Sequence, residues 1–379
     1  MAGPEALACA RFPPAPWRAE LLQVAVVLGV AVYVDNAGYG FEGTGRLLGR
    51  FDFTSRALGG PEVSLDQAPR RANRFRNTWM AMVPVPLPAN YVMGIDVQRR
   101  DFERGMPSYL RGQWRPHGWW YYYLYAMAVK MPVGTLMLLG AGLVLALARK
   151  AYAPCWRSEM AVLAPAAAVL LLVSSQTGFN AHMRYVLPAF PFLYVWASKV
   201  ARAVYQGQRA LAAGATVAAA CTVCSSLWVY PHSLSYFNEL AGGPREGHWH
   251  LVDSNIDWGQ DLLYLARWAD RHPEARPLRV AYFGVFPVTA LGLEEWNGAA
   301  WGPAWYAISV HRLRDSRALI ALSRALEAVL LHRQPVATAG YSIYIYHITP
   351  EDADRVRQAL GLFPPPARPA VASHHAARN

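Results

Sequence analysis

Lysine is almost missing from this chain. Three lysines (Lys130, Lys150 and Lys199) stand against 33 arginines in 379 residues. With alanine abundant as well, that bias fits a GC-rich genome, so an arginine is not read as functional merely for replacing lysine. Charge as a whole is scarce: 16% of residues are charged and 54% hydrophobic, with a mean hydropathy of +0.11. The values fall between a soluble enzyme and a polytopic membrane protein, which suggests a chain that is half of each. The N-terminus, "MAGPEALACARFPPAPWRAE", lacks an apolar stretch beside a basic start, so it is not a signal peptide. G-x-S-x-G, P-loop and H-E-x-x-H motifs are absent. Cysteine is limited to Cys9, Cys155, Cys221 and Cys224, and no disulfide framework or zinc site follows from their spacing. Cys221 and Cys224 form C-x-x-C inside an alanine-rich apolar run, where small residues suit a membrane helix rather than a redox pair.

The charge that is present is unevenly placed. The net charge is +11, yet residues 231–379 hold 14 arginines and 14 acids, so the whole excess lies in residues 1–230. A basic surplus confined to the apolar part fits anionic lipid and membrane topology, not nucleic acid. Five apolar stretches occupy that part: Leu21–Val34, Pro132–Ala148, Met160–Val173, Tyr185–Ala197 and Ala210–Tyr230. A spanning helix needs about 20 mainly apolar residues. Only the last stretch meets that alone, and the others need their flanks.

Short basic loops stay cytoplasmic. Arg149, Lys150 and Arg157 lie between the second and third stretches, and Lys199, Arg202 and Arg209 between the fourth and fifth. The connection "SSQTGFNAHMR" between the third and fourth carries only Arg184. These charges predict an N-terminus inside, five crossings and an external C-terminal part. The expected architecture is a polytopic α-helical membrane protein of about five spans followed by a soluble α/β domain. Its parts are an N-terminal cytoplasmic segment (1–20), a first span (21–35), a long external loop (36–118), four further spans (119–230), an external α/β domain (231–362) and a proline-rich disordered tail (363–379). The external loop strains the charge rule, with 12 arginines and seven acids. Long loops escape that rule, and the excess could also hold phosphate at the membrane surface. "WWYYY" at 119–123 reads as an interfacial aromatic belt. In the C-terminal part, 278–284 and 337–348 read as strands, and 317–333 and the stretch from Pro350 as helices.

Four groups of residues invite chemistry. The stretch "LVDSNIDWGQDL" (251–262) carries Asp253, Asn255, Asp257, Trp258 and Gln260. Its opening matches a calcium loop, but positions six and twelve are Trp258 and Tyr264 where glycine and glutamate are required. A divalent metal at Asp253, Asn255 and Asp257 is therefore the weaker alternative. Two readings stay open: a helix start capped by Asp253 or Ser254, with Asp257 and Asp261 at its positive end, and a sugar or acceptor site in which carboxylates and amides take hydroxyls and Trp258 stacks on a ring. Arg184, with Tyr185 beside it, sits where an external connection meets a span, so it either binds lipid phosphate or anchors the interface. Lys130, at the edge of a span, either serves a function or snorkels. His248 and His250 in "HWH" are read as surface residues.

Several stretches together resemble one family. "NAHMRYVLPAFPFLYVW", "GWWYYYLYAMAVKMPVGTL" and "YPHSLSYFNELAGGPREGHWHLVDSNIDWGQDLLYLARW" are similar to segments of bacterial GT-C type glycosyltransferases, family 39-like, whose relatives include protein O-mannosyltransferases and aminoarabinose transferases. The resemblance implies a polyprenyl-phosphate-linked sugar as donor, no cofactor, and transfer outside the cytoplasmic membrane of a bacterium. It places Arg184, Tyr185 and Lys130 on the lipid-phosphate side. The family's acidic catalytic motif, carried on an early external loop, is not seen here, so no catalytic residue is carried over. The implied chain is the C-terminal portion of such an enzyme, which a split gene, a late start codon or a degenerate copy would each produce; the split gene would add a separately encoded N-terminal half as partner. The competing expectation is a non-catalytic, membrane-anchored glycan-binding or accessory protein.

Overall fold

The computed structural model describes residues 17–65, 68–71, 73–153, 155–178, 180–296, 302–315, 330 and 333–359. The tail expected from 363 and nearly all of the helix expected over 317–333 lie outside the described residues. The chain divides into two compact units, one of residues 1–228 with 237–241 and the other of residues 229–236 with 242–379.

Unit one is mainly helical. Helix α1 (Trp17–Gly38) leads into a polar stretch holding a short helix α2 (Arg56–Gly59), a hairpin of β1 (Glu62–Leu65) and β2 (Ala68–Arg71), helix α3 (Ala89–Arg104), and a hairpin of β3 (Ser108–Leu110) and β4 (Gln113–Arg115). Then follow α4 (Tyr122–Lys130), α5 (Val133–Ala148), α6 (Trp156–Ser175), α7 (Phe190–Ala197) and α8 (Arg209–Trp228). Three of these, α1, α6 and α8, are long and apolar enough to cross a membrane. Helices α4 and α5 pass the same test together, bent by 115° at their junction. The cause of the bend is local: Pro132 forces the preceding Met131 into an extended conformation (φ −84°, ψ 139°). The fourth apolar stretch is not one continuous α-helix. Pro188 and Pro191 lack an N–H, and the chain there runs as a 3₁₀ segment (Met183–Ala189), the eight-residue α7 and a second 3₁₀ segment (Ser198–Ala201).

Two sets of loops gather at opposite ends of α6. At its start, Glu159 accepts from the Trp196 indole N–H at 2.6 Å and pairs with Lys199. Arg202 there donates to the Ala151 carbonyl at 2.7 Å, while Arg149 and Tyr152 both reach Gln208, at 3.0 and 3.2 Å. At its finish, the Thr177 and Gly178 carbonyls accept from the N–H groups of Gly118 (2.8 Å) and Met106 (3.0 Å), and the Asn180 amide oxygen accepts from Trp119 N–H at 2.6 Å. A 20-residue helix is about 30 Å long, the thickness of a hydrocarbon core. The two basic connections thus share one end, and the 176–182 connection shares the other with the 99–119 stretch. The aromatic run at 119–123 splits: Trp119, Tyr122 and Tyr123 are buried, and only Trp120 and Tyr121 are exposed. Cys221 and Cys224 are free, whereas Cys155 is disulfide-bonded, a bond that the cysteine spacing does not announce.

The bend between α4 and α5 leaves carbonyls without helical partners, and one side chain meets them. The Asn238 amide donates to the carbonyls of Ala128 (2.6 Å) and Met131 (2.9 Å), and its backbone N–H to that of Val129 (2.9 Å). Its side-chain oxygen accepts from Ala241 N–H at 3.0 Å, and the residue is fully buried. The "NELA" stretch therefore holds a broken helix together. Asn238→Ala should lower unfolding stability in detergent by at least about 2 kcal/mol, because two buried acceptors lose their donors. Asn90→Ala, which removes one exposed 3.3 Å bond to Glu42, is the control. Equal thermal shifts for the two variants would refute the clasp.

Unit two is built on a five-stranded mixed sheet in the order β6-β5-β7-β9-β8: β5 (Leu278–Ala281), β6 (Glu294–Glu295), β7 (Ala304–Ser309), β8 (Ala337–Ala339) and β9 (Ile343–Ile348). Strands β6, β5 and β7 run parallel, and β9 pairs antiparallel with both β7 and β8. The expected strand at 337–348 is thus a hairpin, turning at Gly340. Helices α9 (Gly243–His250) and α10 (Leu262–Arg271) precede the sheet, α11 (Val310–Arg314) follows β7, and α12 (Pro350–Ala359) closes the described part. Leu262, Leu265 and Ala269 recur at helical spacing on α10 and pack on Leu278, Val280, Ala307, Ile343 and Ile345 of the sheet.

Candidate functional site

The sequence 251–262 links α9 to α10. It does not start a helix at Asp253. Residues Asp253–Asn255 form one 3₁₀ turn, and α10 begins only at Leu262, after Asp261. Asp253 adopts a left-handed conformation (φ 62°), held by its own carboxylate, which accepts from Ser254 N–H and Oγ–H, both at 2.6 Å. Gln260 folds the loop on itself. Its side-chain oxygen accepts from Trp258 N–H and its amide donates to the Ile256 carbonyl, each at 2.8 Å. Gly259, at φ 87°, touches the Tyr282 hydroxyl; a Cβ there would stand 2.0 Å from that oxygen. Only a glycine fits this turn.

The acids in this loop have different fates. Asp261 is fully buried, with Oδ1 2.8 Å from His232 Nδ1. Its Oδ2 accepts from the backbone N–H groups of Tyr341 and Ser342, both at 3.1 Å. Gly340 (φ 58°) lets the β8–β9 turn close around this carboxylate, since a Cβ there would lie 2.1 Å from Oδ2. His232 packs in turn on the rings of Tyr264 and Tyr341, at 4.6 and 5.5 Å. Asp257 is equally buried, but only Oδ1 is bonded, accepting from Gly259 N–H at 2.9 Å. Its Oδ2 and the Ser342 hydroxyl are both buried without a hydrogen-bond partner. Burial pushes the Asp257 pKa up to about 7, and the Asp261 and Asp253 charges add to the rise. Gly259 N–H opposes it, as does the Ser342 hydroxyl, which acts from outside hydrogen-bond geometry.

Of the five residues proposed for a sugar or acceptor, then, Asn255 and Asp257 are buried, Gln260 is spent inside the loop and Asp253 is half-exposed and tied to Ser254. Trp258 alone offers a broadly exposed face, at 59%, with its ring 6.2 Å from that of Phe283. Among the described residues, no group of three or more metal-ligating side chains could hold an ion.

A more open site of unit two lies beside this loop. A cavity of about 340 Å³ is lined by Arg245, Trp249, Arg333, Gly340, Tyr341 and Tyr344, among others. His248, expected at the surface, is buried. Its Nδ1 accepts from Arg314 Nε and Nη2, at 3.1 and 2.9 Å, and the Arg314 guanidinium lies 3.4 Å from the centre of the Trp249 ring. Burial and the charge of Arg314 hold the His248 pKa down at about 3, so the ring is the neutral acceptor that arginine requires. This stack fixes Trp249 at the cavity wall. Arg333 is held by Asp352 at 2.7 Å, while the Arg245 guanidinium has no hydrogen-bond or ion-pair partner among the described residues. Sequence reasoning missed this site because its walls come from α9 on one side and from the segment 333–336 with the β8–β9 hairpin on the other, far apart in the chain.

In unit one the phosphate-side candidates separate. Arg184 is exposed, its guanidinium 5.6 Å from the centre of the Tyr185 ring. Tyr185 meets Tyr123 edge-on at 6.5 Å, and His182 at 5.7 Å. Lys130 lies at the other end of α4, seven residues beyond Tyr123 and so about 10 Å along the axis, with its ammonium 4.5 Å from the Phe237 ring. The structure brings Arg184 and Tyr185 together and leaves Lys130 with Phe237.

The titration of Asp257 is testable. Its folded pKa lies above the ordinary 3.8. Its contribution to stability is therefore complete below 3.8, where both states are protonated, and is lost as pH rises to about 7. Asp257→Asn keeps the acceptor for Gly259 and cannot ionise. It should be more stable than the parent at pH 8, by up to a few kcal/mol, and the difference should vanish near pH 4. A pH-independent difference in chemical unfolding would reject the buried, proton-holding carboxyl.

Compared with protein-family models, with curated proteins and with solved structures, the chain matches none.

Proposed function

We propose that this chain is the C-terminal portion of a membrane glycosyltransferase that moves a sugar from a polyprenyl-phosphate carrier to an acceptor outside the cytoplasmic membrane. The observation that carries the membrane part is the separation of loops by α6. The basic connections at 149–159 and 199–209 meet at its start, and the connection 176–182 meets the 99–119 stretch about 30 Å away. This agrees with a cytoplasmic basic end and an external opposite end. Five crossings follow if the bent α4–α5 pair and the proline-broken stretch around α7 each traverse the bilayer. An external C-terminal α/β domain follows from that count. Labelling of single cysteines placed at Arg149 and at Arg99 in intact cells decides between this orientation and its reverse.

The transfer part rests on the resemblance and on Arg184. An exposed guanidinium beside a tyrosine, with no hydrogen-bond or ion-pair partner among the described residues, is free to take the oxygens of a departing lipid phosphate. That contact lowers the cost of the charge left when the bond to the anomeric carbon breaks. The acceptor's proton would go to an external carboxylate, for which no residue is named. Lys130 belongs to the same side of the chemistry only through the lipid.

One observation favours a different reading, that of a membrane-anchored glycan-binding or accessory protein. The cavity of about 340 Å³ beside Trp249, Tyr341 and Tyr344 has the aromatic and arginine lining that saccharides use. Both readings are tested on the full chain reconstituted in liposomes, alone and with a separately encoded N-terminal half where one exists. With labelled polyprenyl-phosphate sugar, Arg184→Ala should cut donor use about tenfold or more, mainly as a raised KM for the donor. Unchanged transfer removes Arg184 from this role. No transfer at all, together with saturable saccharide binding that Trp249→Ala abolishes, selects the accessory protein.

A further inference from the structure

The polar stretch of unit one contains a concentration of like charge that the glycosyl-transfer reading does not use. A hollow of about 500 Å³ is lined by Arg56, Arg74, Arg99, Arg100, Arg104 and Glu103. Five arginines face one acid. Arg99 is tied to Glu103 at 3.4 Å, and Arg100 to Asp101 at 3.0 Å. Arg56, Arg74 and Arg104 have no side-chain hydrogen bond or ion pair among the described residues.

This cluster is built, not left over. Asp96 and Glu103 lie seven residues apart on α3 and so share a face. The buried Asp96 carboxylate accepts from Thr54 N–H and from its hydroxyl at 2.9 Å, and from Ser55 N–H at 3.0 Å. These hydrogen bonds hold its pKa below the ordinary carboxylate value against the opposing effect of burial. Glu103 accepts from the N–H groups of Arg56 (2.5 Å) and Ala57 (2.8 Å). The start of α2 is thereby stapled to α3, with Ser55 capping it through Leu58 N–H at 3.1 Å. Arg74 N–H donates to the Leu58 carbonyl at 3.1 Å. Three separate chain segments are fixed so that their arginines converge, in spite of their repulsion. Asp96 is spent on the 54–55 segment, Glu103 is shared between the Arg56 and Ala57 N–H groups and Arg99, and Asp101 pairs with Arg100, which leaves the cluster with excess positive charge.

We propose that this hollow binds a phosphate group, as the headgroup of an anionic phospholipid or as free phosphate. Arg56, Arg74 and Arg104 are the primary ligands, and Arg99 and Arg100 complete the positive wall. Guanidinium forks match phosphate oxygens in pairs, and a bound anion removes the repulsion that the apo arrangement carries. The rest of α3 suits a lipid surface. Tyr91, Ile95 and Arg99 follow one another at four-residue spacing on one face, and Tyr91 and Ile95 are exposed. The site does not depend on the glycosyltransferase reading and shares no residue with Arg184, Tyr185 or Lys130.

The test uses the full chain. Native mass spectrometry from nanodiscs of mixed phosphatidylglycerol and phosphatidylcholine should show selective retention of phosphatidylglycerol. The triple variant Arg56→Gln, Arg74→Gln, Arg104→Gln should lose that selectivity by about tenfold or more, and Arg276→Gln on unit two should not. Calorimetric titration with inorganic phosphate in detergent gives the second arm. Saturable, salt-sensitive binding of phosphate, absent from the triple variant and without lipid selectivity, assigns the site to soluble phosphate. In phosphate-free buffer the triple variant should unfold no earlier than the parent, because like charges have been removed. If it fails to fold, Arg104→Gln alone should show a partial loss in the same two assays. Neither lipid selectivity nor saturable phosphate binding in the parent, or both retained in a folded variant, would overturn the site.

Discussion

The buried carboxylate of Asp261 is the constraint on which unit two depends. An ionisable group with no exposure is costly unless every lone pair is met. Here His232 meets one oxygen, and two successive N–H groups of the β8–β9 turn meet the other. That single group ties three pieces of chain: residues 229–236, the start of α10, and the hairpin at the edge of the sheet. The turn can approach only because residue 340 is a glycine at positive φ. The hairpin in turn supplies Tyr341 and Tyr344 to the cavity beside Trp249. The wall of this hollow is therefore positioned from inside, by a fully buried acid.

Unit one solves the same kind of problem with an amide. A bent helix pair in an apolar setting exposes carbonyls that lipid cannot satisfy. Asn238 satisfies the last turn of α4 with side chain and backbone at once, and its own oxygen is met by Ala241. The staples on α3 follow the same logic, with Asp96 and Glu103 taking backbone N–H groups of another segment. In each case a polar side chain is consumed in holding the backbone. Arg184 at one place, and Arg56, Arg74 and Arg104 at another, are not used in this way among the described residues.

The apolar helices were legible in the sequence because length and hydropathy are local properties. Helices α1, α6 and α8 lie over three of the five apolar stretches. The basic connections 149–159 and 199–209, grouped by charge in the sequence, do meet at one end of α6. The fourth stretch was harder, because Pro188 and Pro191 break an α-helix without lowering hydropathy. Strand β7 (Ala304–Ser309) went unseen, as four consecutive buried residues carry no alternation. The site was least legible. The direction in which a carboxylate points depends on partners about 30 and 80 residues away, His232 and Ser342 for Asp261. No spacing rule within 251–262 contains that information.

The stretch "SNIDWGQD" looked like a ligand site because it is polar, aromatic and outside the apolar segments. Its geometry explains why such density arises without a ligand. A loop that folds with one 3₁₀ turn and no strand ladder has few backbone partners, so its side chains must supply them. Gln260, Asp253 and Asp257 each bond a backbone N–H or carbonyl within four residues. The residue types that bind sugars are the same ones that close irregular loops, and composition cannot tell the two apart. Exposure can: Trp258 remains outward, Asn255, Asp257 and Asp261 are buried, and Asp253 and Gln260 are half-buried.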